Sequence, residues 1–257
     1  MPPYDPYDSL VPVFLRTEIP NRMTQVATAV FVELHGEPFL LTAAHVTDER
    51  NHGELLVPTA DGFAPIEGYM AYIDLPPEIS RESDTTDIAY YRLSTDFANT
   101  LARVFRVLRQ ERTRLMQSAH EYAVYTASGY PASKAKRTEG MRSSEVFSFR
   151  GTVAKSEIYD ALQLSPDDSI VVHFRKKHAV DLHEFQPASV PGMSGVSGGA
   201  MFAWPRGQEL LNDWTLPVFV GIFHTYRERD GLIIGTTLLP IITAISLGRM
   251  KGFGGTQ

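Results

Sequence analysis

A histidine, an acid and a serine, in that order along the chain, are the residues whose types and settings could do chemistry. His45 ends an apolar run in Leu41-Thr42-Ala43-Ala44-His45-Val46. Asp87 opens another in Thr86-Asp87-Ile88-Ala89-Tyr90. Ser197 lies in Gly195-Val196-Ser197-Gly198-Gly199-Ala200-Met201-Phe202, a glycine-rich turn that leads into apolar residues. Taken singly, each has an ordinary structural reading: a strand-end His, a turn-forming Asp, a loop Ser. Their co-occurrence in the order His…Asp…Ser matches one chain order of a nucleophilic triad.

The residue types fit that chemistry. A serine hydroxyl is a weak nucleophile near neutral pH and needs an adjacent base. His45 can take its proton and later deliver it to a leaving amine. Asp87 can accept a hydrogen bond from the other ring nitrogen and stabilise the imidazolium. A tetrahedral intermediate puts negative charge on the former carbonyl oxygen, and the backbone N–H groups of Gly195 and Ser197 could converge there. Gly195 permits the backbone shape this needs, and Gly198-Gly199 let the next strand approach closely. A second, poorer glycine-flanked serine lies upstream in Gly192-Met193-Ser194-Gly195. Ser197 is the preferred nucleophile because the apolar run Ala200–Trp204 follows it directly and can enter a strand, while Ser194 is still inside the turn.

These residues need a scaffold, and the composition points to a β-rich one. The chain has 257 residues, 43% hydrophobic and 21% charged, an ordinary globular balance. Its 19 glycines and 17 prolines punctuate it too often for a helical bundle. Strand-like runs are Ala27–Glu33 and Pro38–Thr42, joined by the turn His35-Gly36-Glu37, then Gly68–Ile73, Ile88–Leu93, Tyr122–Thr126 and Val146–Val153. More follow at Ile170–Phe174, Ala200–Trp204, Val218–Phe223 and, after the turn Arg229-Asp230-Gly231, Leu232–Thr237. About ten short strands at irregular spacing suggest antiparallel barrels or sandwiches. Thr95–Ala119 lacks Gly and Pro and spaces Leu101, Val104, Phe105, Leu108 and Leu115 at roughly helical intervals. Arg103, Arg106, Arg109 and Arg112 recur through it, either as a solvated face or as a dock for an acidic partner. Ala132–Arg142 reads as an exposed polar loop.

Charge and cysteine usage narrow the function classes. There are 24 Lys+Arg and 30 Asp+Glu, a net charge of −6, which disfavours general nucleic-acid binding. With no cysteine, disulfides, thiolate metal sites and a cysteine nucleophile are all excluded. The N-terminal MPPYDPYDSLVPVF has no basic stretch leading into a long apolar one, so a cytoplasmic setting is expected. The uncharged Leu232–Gly248 is too short and too broken by Gly235 and Pro240 to span a membrane. It reads as a strand and then a short helix opened by Pro240. His173, His178 and His183, around Asp181 and Glu184, lack the spacing of a zinc-binding helix and read as ordinary histidines, so no metal site is expected.

TAAHV, DIA and GVSGGAMF together resemble the trypsin-like, chymotrypsin-fold serine peptidases, in particular their cysteine-free bacterial members. The likeness spans about residues 27–245 and is sharp only at these three blocks; Gly129-Tyr130-Pro131 resembles the opening of the second barrel. It implies that His45 is the general base, Asp87 its orienting acid, Ser197 the nucleophile and Gly195 the oxyanion-hole glycine. The implied fold is all-β: two antiparallel six-stranded barrels, an interbarrel helix and a C-terminal helix. In that frame residues 1–22 form an N-terminal arm, 23–94 the first barrel with His45 and Asp87, 95–119 a helical connection, and 120–248 the second barrel with Ser197.

The implied activity is hydrolysis of peptide bonds by a serine endopeptidase through an acyl-enzyme, without a cofactor. Its partners are a protein or peptide substrate and, to restrain it, a regulatory protein. An inactive module that keeps the barrels for binding is the alternative. Two departures matter. The residue before the nucleophile, an acid in animal digestive members, is Val196. The acid of the basic-specific pocket, six positions before Ser197, is Pro191, and no acid lies between Gln186 and Trp204, so cleavage after Lys or Arg is not expected. His224, after the strand Val218–Phe223, stands near where several relatives read acidic or amide side chains. It is equally suited to a structural place beside Asp87.

Overall fold

The computed structural model describes residues 5–17, 23–72, 75, 78, 80–138, 141–179, 189–205 and 217–246. The strands are β1 (Leu10–Arg16), β2 (Met23–Leu34), β3 (Glu37–Thr42), β4 (Glu54–Thr59), β5 (Gly62–Pro65), β6 (Gly68–Tyr72), β7 (Ala89–Leu93), β8 (Val124–Gly129), β9 (Lys136–Thr138) and β10 (Met141–Ser143). They continue with β11 (Phe147–Val153), β12 (Ser169–His173), β13 (Ala200–Trp204), β14 (Val218–Arg227) and β15 (Leu232–Thr237). The α-helices are short: α1 (Ala44–Asp48), α2 (Thr95–Ala102), α3 (Ser156–Leu162) and α4 (Leu239–Ser246).

Two antiparallel β units carry the molecule. The first is a curled seven-stranded sheet in the order β5-β4-β1-β2-β3-β7-β6. The second is a closed six-stranded barrel, β11-β12-β15-β14-β13-β8. The β2–β3 hairpin turns at His35 and Gly36, both at positive φ (52° and 76°), as a tight two-residue turn between twisted strands requires. The N-terminal arm expected over 1–22 instead holds β1, which lies inside the first sheet between β4 and β2. Its run Leu10–Leu15 is buried on both faces, so it shows no alternation to mark it as a strand.

Three apolar clusters explain why so many strands read as unbroken hydrophobic runs. On β2, Ala27, Ala29 and Phe31 face the interior of the first unit. Val30, Val32 and Leu34 face the other way, into a third cluster that also holds Phe202, Phe219 and Ile222 of the second barrel. On β13, Met201 and Ala203 line the second barrel, while Ala200 and Phe202 join the interbarrel core. The period of two is kept, but both faces are buried. The C-terminal α4 closes this shared core with Ile241, fully buried. The described part of this run, Leu232 to Ser246, forms β15 and α4, and among the described residues no helix is long and apolar enough to cross a membrane.

The connection between the barrels is mostly not helical. Only Thr95–Ala102 forms an α-helix, N-capped by Ser94, whose side chain accepts from the Phe97 amide. Beyond it the backbone pairs with strands instead. The Leu108 amide donates to Phe31 O at 2.8 Å, the Glu33 amide donates to Leu108 O at 2.9 Å, and the Arg114 amide donates to Phe219 O at 2.8 Å. Helix propensity in this segment is a weak force beside three sheet-edge hydrogen bonds and a fully buried Leu108. Arg103 and Arg106 reach exposed partners, Asp61 at 3.0 Å and Asp8 at 3.5 Å, which is a solvated face. Within Ala132–Arg142, read as a loop, β9 and β10 form a small separate hairpin.

Candidate active site

Asp87 and His45 meet where β3 ends and β7 begins, because β3 and β7 are paired with Thr42 opposite Ala89. His45 sits in the first turn of α1. Ala43, at the N-cap, has no side chain that can accept a hydrogen bond, so the first amides of this helix need an outside acceptor. Asp87 supplies it. Its Oδ1 accepts from the His45 amide at 2.8 Å, while Oδ2 lies 2.5 Å from His45 Nδ1. One carboxylate therefore caps the helix and orients the ring.

Burial and pairing compete in both groups. Burial pushes the Asp87 carboxyl up, but its hydrogen bonds and charge attraction with His45 outweigh this and hold it below the usual carboxylate value. Burial pushes His45 down, yet the Asp87 hydrogen bond and the charges of Asp87 and Asp48 carry it above an ordinary imidazole. The His45 side chain keeps 37% of its surface exposed, against 6% for Asp87. Behind the pair, Arg81 bridges Asp48 at 3.0 Å and Asp84 at 2.9 Å, tying the segment before β7 to the end of α1.

The glycine turn before β13 packs directly on the first sheet. The Thr28 amide donates to Ser197 O at 2.9 Å, and Thr28 Oγ1 donates to Gly195 O at 2.8 Å. Gly198 has φ +83°, and a Cβ there would lie 2.1 Å from Thr42 Oγ1 and 2.2 Å from Thr28 O. This contact brings the Ser197 turn against Thr42-Ala43, immediately before His45. Gly195 has φ +87°, and a Cβ there would lie 2.7 Å from the Ala132 amide. Neither the Gly195 nor the Ser197 amide donates to a protein acceptor among the described residues. Val196, between them, is fully buried in the core of the second barrel. An apolar side chain thus holds the turn from inside, where an acid would need a buried countercharge.

The Ser197 hydroxyl donates to His224 O at 3.3 Å, and no hydrogen bond joins it to His45. Ser194 is exposed, and its carbonyl accepts from the Ala132 amide at 2.7 Å.

His224 is placed by an irregularity in β14. The β14–β15 register shifts between Phe223 and Thr225, so His224 is the extra residue of a bulge. A bulge re-aims side chains. Phe223 points into the second barrel, whereas His224 is 7% exposed. Its Nδ1 lies 2.9 Å from Thr225 Oγ1. Burial holds it below the usual imidazole value, with Asp87 the nearest charge acting against that. It is thus a buried ring beside Asp87 whose charged form burial disfavours. Sequence reading missed the bulge, whose only trace is that the buried run of β14 ends at this residue.

Among the described residues no group of three or more His, Cys, Asp or Glu could hold a metal ion. His173 is exposed, and Asp181, His183 and Glu184 lie outside the described residues.

A solved structure of similar shape agrees with this architecture. The Drosophila Grass clip serine protease of the Toll pathway aligns over 93% of this chain and 68% of its own, with TM-score 0.56 and 14% identity. The fold is that of the chymotrypsin-like proteases. The serine protease domain of the Sesbania mosaic virus polyprotein aligns over 92% of this chain and 91% of its own, at TM-score 0.48 and 16% identity. A Glu endopeptidase covers 94% and 91%, at TM-score 0.49 and 15% identity. By sequence, no protein-family model and no curated protein matches the chain.

Proposed function

We propose that this protein is a serine endopeptidase working through an acyl-enzyme. The observation that carries the reading is the double contact of buried Asp87 with the amide and ring of His45, set against a turn whose Gly195 and Ser197 amides have no protein acceptor among the described residues. Asp87 keeps the proton on Nδ1, which leaves Nε2 as the acceptor. The Ser197 hydroxyl turns from His224 O toward Nε2, gives up its proton, and Oγ attacks the substrate carbonyl carbon. The two amides bind the oxygen that becomes negative. The imidazolium then protonates the leaving amine, the C–N bond breaks, and the acyl group stays on Ser197 as an ester. Water, losing a proton to the same ring, attacks that ester and restores the serine.

The pocket side of Ser197 offers Pro191 and no acid between Gln186 and Trp204. A buried Lys or Arg side chain at the cleaved residue lacks the countercharge it needs. Small, apolar, Gln or Glu side chains are the expected preference, and selective cleavage after Lys or Arg in a peptide library overturns it. The activity itself is tested with a fluorophosphonate probe, which modifies an activated serine covalently. Labelling of the wild type and its loss in Ser197→Ala and His45→Ala are expected, with most labelling kept in Ser194→Ala. An unlabelled wild type points to the inactive binding module. Loss in Ser194→Ala alone moves the nucleophile upstream by three residues.

A further inference from the structure

His45 and Asp87 belong to a closed ring of contacts, and Arg81 is the member that closes it. Asp48 follows His45 by three residues, one turn along α1. Arg81 Nε donates to Asp48 Oδ2 at 3.0 Å, and Arg81 Nη1 donates to Asp84 Oδ2 at 2.9 Å. The other Asp84 oxygen, Oδ1, accepts from the Thr86 amide at 3.0 Å. Asp87 comes next in the chain, and its two oxygens return to the amide and ring of His45. A 3₁₀ turn over Arg81–Ser83 sets Arg81 and Asp84 on one side, with the Asp84 amide donating to Arg81 O at 3.1 Å.

The ring is built around a cation. The Asp84 side chain is only 4% exposed, so its carboxylate needs the Arg81 charge beside it. Arg81 is itself mostly buried, and its guanidinium carbon stands 5.7 Å from the centroid of the Tyr72 ring. Tyr72 ends β6 opposite Ala89, the first residue of β7, so Arg81 is seated beside the strand that Asp87 precedes. A planar guanidinium reaches two carboxylates from two different nitrogens. A lysine ammonium offers one nitrogen and cannot stand where Nε and Nη1 both stand.

We propose that Arg81 is a positioning residue for the triad: by bridging Asp48 to Asp84 it fixes the helix that carries His45 against the loop that carries Asp87. The inference rests on the peptidase reading and adds to it a part that touches neither substrate nor the reacting atoms. Burial holds the His45 ring down, and the Asp87 hydrogen bond is the strongest push the other way. The charges of Asp87 and Asp48 add to that push, Arg81 acts against it, and the buried His224 ring is near enough to feel the His45 charge. A slack bridge that lets Asp87 draw away therefore lowers the His45 value as well as misplacing the base.

Arg81→Lys is the test, since it keeps the charge and removes the fork. The expected result is a fall in kcat of about 10–100-fold, the scale set by a misplacement of roughly 1 Å in a catalytic group, with KM little changed. The midpoint of kcat/KM against pH should also move down, and imidazole NMR of His45 should read the same shift without turnover. Asp48→Ala, at a half-exposed position, cuts the other arm of the bridge and carries the test if Arg81→Lys does not fold. Asp48→Asn, whose carbonyl oxygen can still accept from Arg81 Nε, should recover much of the kcat lost in Asp48→Ala. A folded Arg81→Lys with the wild-type kcat and midpoint, even at a lower Tm, overturns the positioning role and leaves the peptidase intact. A wild type that takes no fluorophosphonate and cuts no peptide overturns the peptidase reading instead, and the His45 titration then still decides whether Arg81 holds the pair.

Discussion

Replacing Asp87 by Asn changes one atom and, by the geometry of this site, the protonation of a different residue. Oδ1 faces the His45 amide at 2.8 Å, and that amide can only donate. The Asn carbonyl must take this position, which leaves the Asn NH₂ facing His45 Nδ1, where Oδ2 stood at 2.5 Å. An NH₂ group donates, so Nδ1 must accept and the ring proton moves to Nε2. The ring then has no lone pair for the Ser197 proton. The expected fall in kcat is about 10⁴-fold, or ~5.5 kcal/mol of barrier.

The fold should survive, because the helix cap and the packing are unchanged. Loss of one charge-assisted bond costs about 1–2 kcal/mol, lowering Tm by roughly 2–8 °C for a chain of this size. Steady-state hydrolysis of a peptide identified from the library measures the rate, and thermal unfolding guards against misfolding. In the wild type, kcat/KM should rise with pH through an apparent pKa above the ordinary 6.5 of imidazole, since Asp87 holds His45 up. Without the carboxylate the residual activity should titrate at lower pH. A folded Asn variant that keeps more than a tenth of wild-type kcat, or an unmoved midpoint, refutes the assignment of Asp87 as the orienting acid.

Gly198→Ala should destabilise the protein by about 2–5 kcal/mol, combining a left-handed backbone cost with overpacking, because its Cβ has no space beside Thr42 and Thr28. Gly36→Ala, also at positive φ but with open space, should cost only the backbone share, and equal Tm losses for the two contradict the contact argument. Val196→Asp should unfold the protein or lower Tm by more than 10 °C, since Val196 is fully buried among apolar side chains that cannot solvate a charge. Acid stability depends on opposed histidines. His224, held down by burial, contributes stability above its unfolded value of about 6.5 that is lost as pH falls through its lower folded value. His45, held up, contributes stability below 6.5 that is lost as pH rises through its higher folded value. His224→Asn should therefore lose less Tm than the wild type between pH 7 and 5, and an identical slope would show that the ring is not buried neutral.

Much of the barrel framework was legible because strand ends carry punctuation. The hairpin turn at His35-Gly36 marked the facing ends of β2 and β3 to within one residue, and β13 and β15 fell on the expected residues, whereas β2 begins four residues earlier and β14 ends four residues later than expected. What escaped lacked a local signal. β1 is buried on both faces and reads as a featureless apolar run. The connection after α2 has helical spacing but takes its backbone partners from β2 and β14, far off in sequence. Local periodicity cannot report partners that tertiary structure supplies.

The site divides in the same way. Side-chain identity made His45, Asp87 and Ser197 candidates, and strand pairing explains why the first two meet: Thr42 opposite Ala89 sets the residues that follow one strand beside those that precede the other. Nothing in the sequence says that Asp87 also caps α1, yet this second bond is what fixes which carboxylate oxygen faces the ring. The bulge at His224 is equally silent in sequence. It lies in the β14–β15 ladder, where Phe223 faces Gly235 and Thr225 faces Ile234, and it turns a histidine inward beside Asp87. On its other side β14 still bonds the glycine turn, since the Gly198 amide donates to Phe223 O at 2.7 Å and the Phe223 amide donates to Gly199 O at 2.8 Å. One inserted residue thus sits between the turn that carries Ser197 and the acid that orients His45. Straightening the strand by deleting Thr225 should lower the wild-type rate, and an unchanged rate in a folded variant would show that the bulge positions neither.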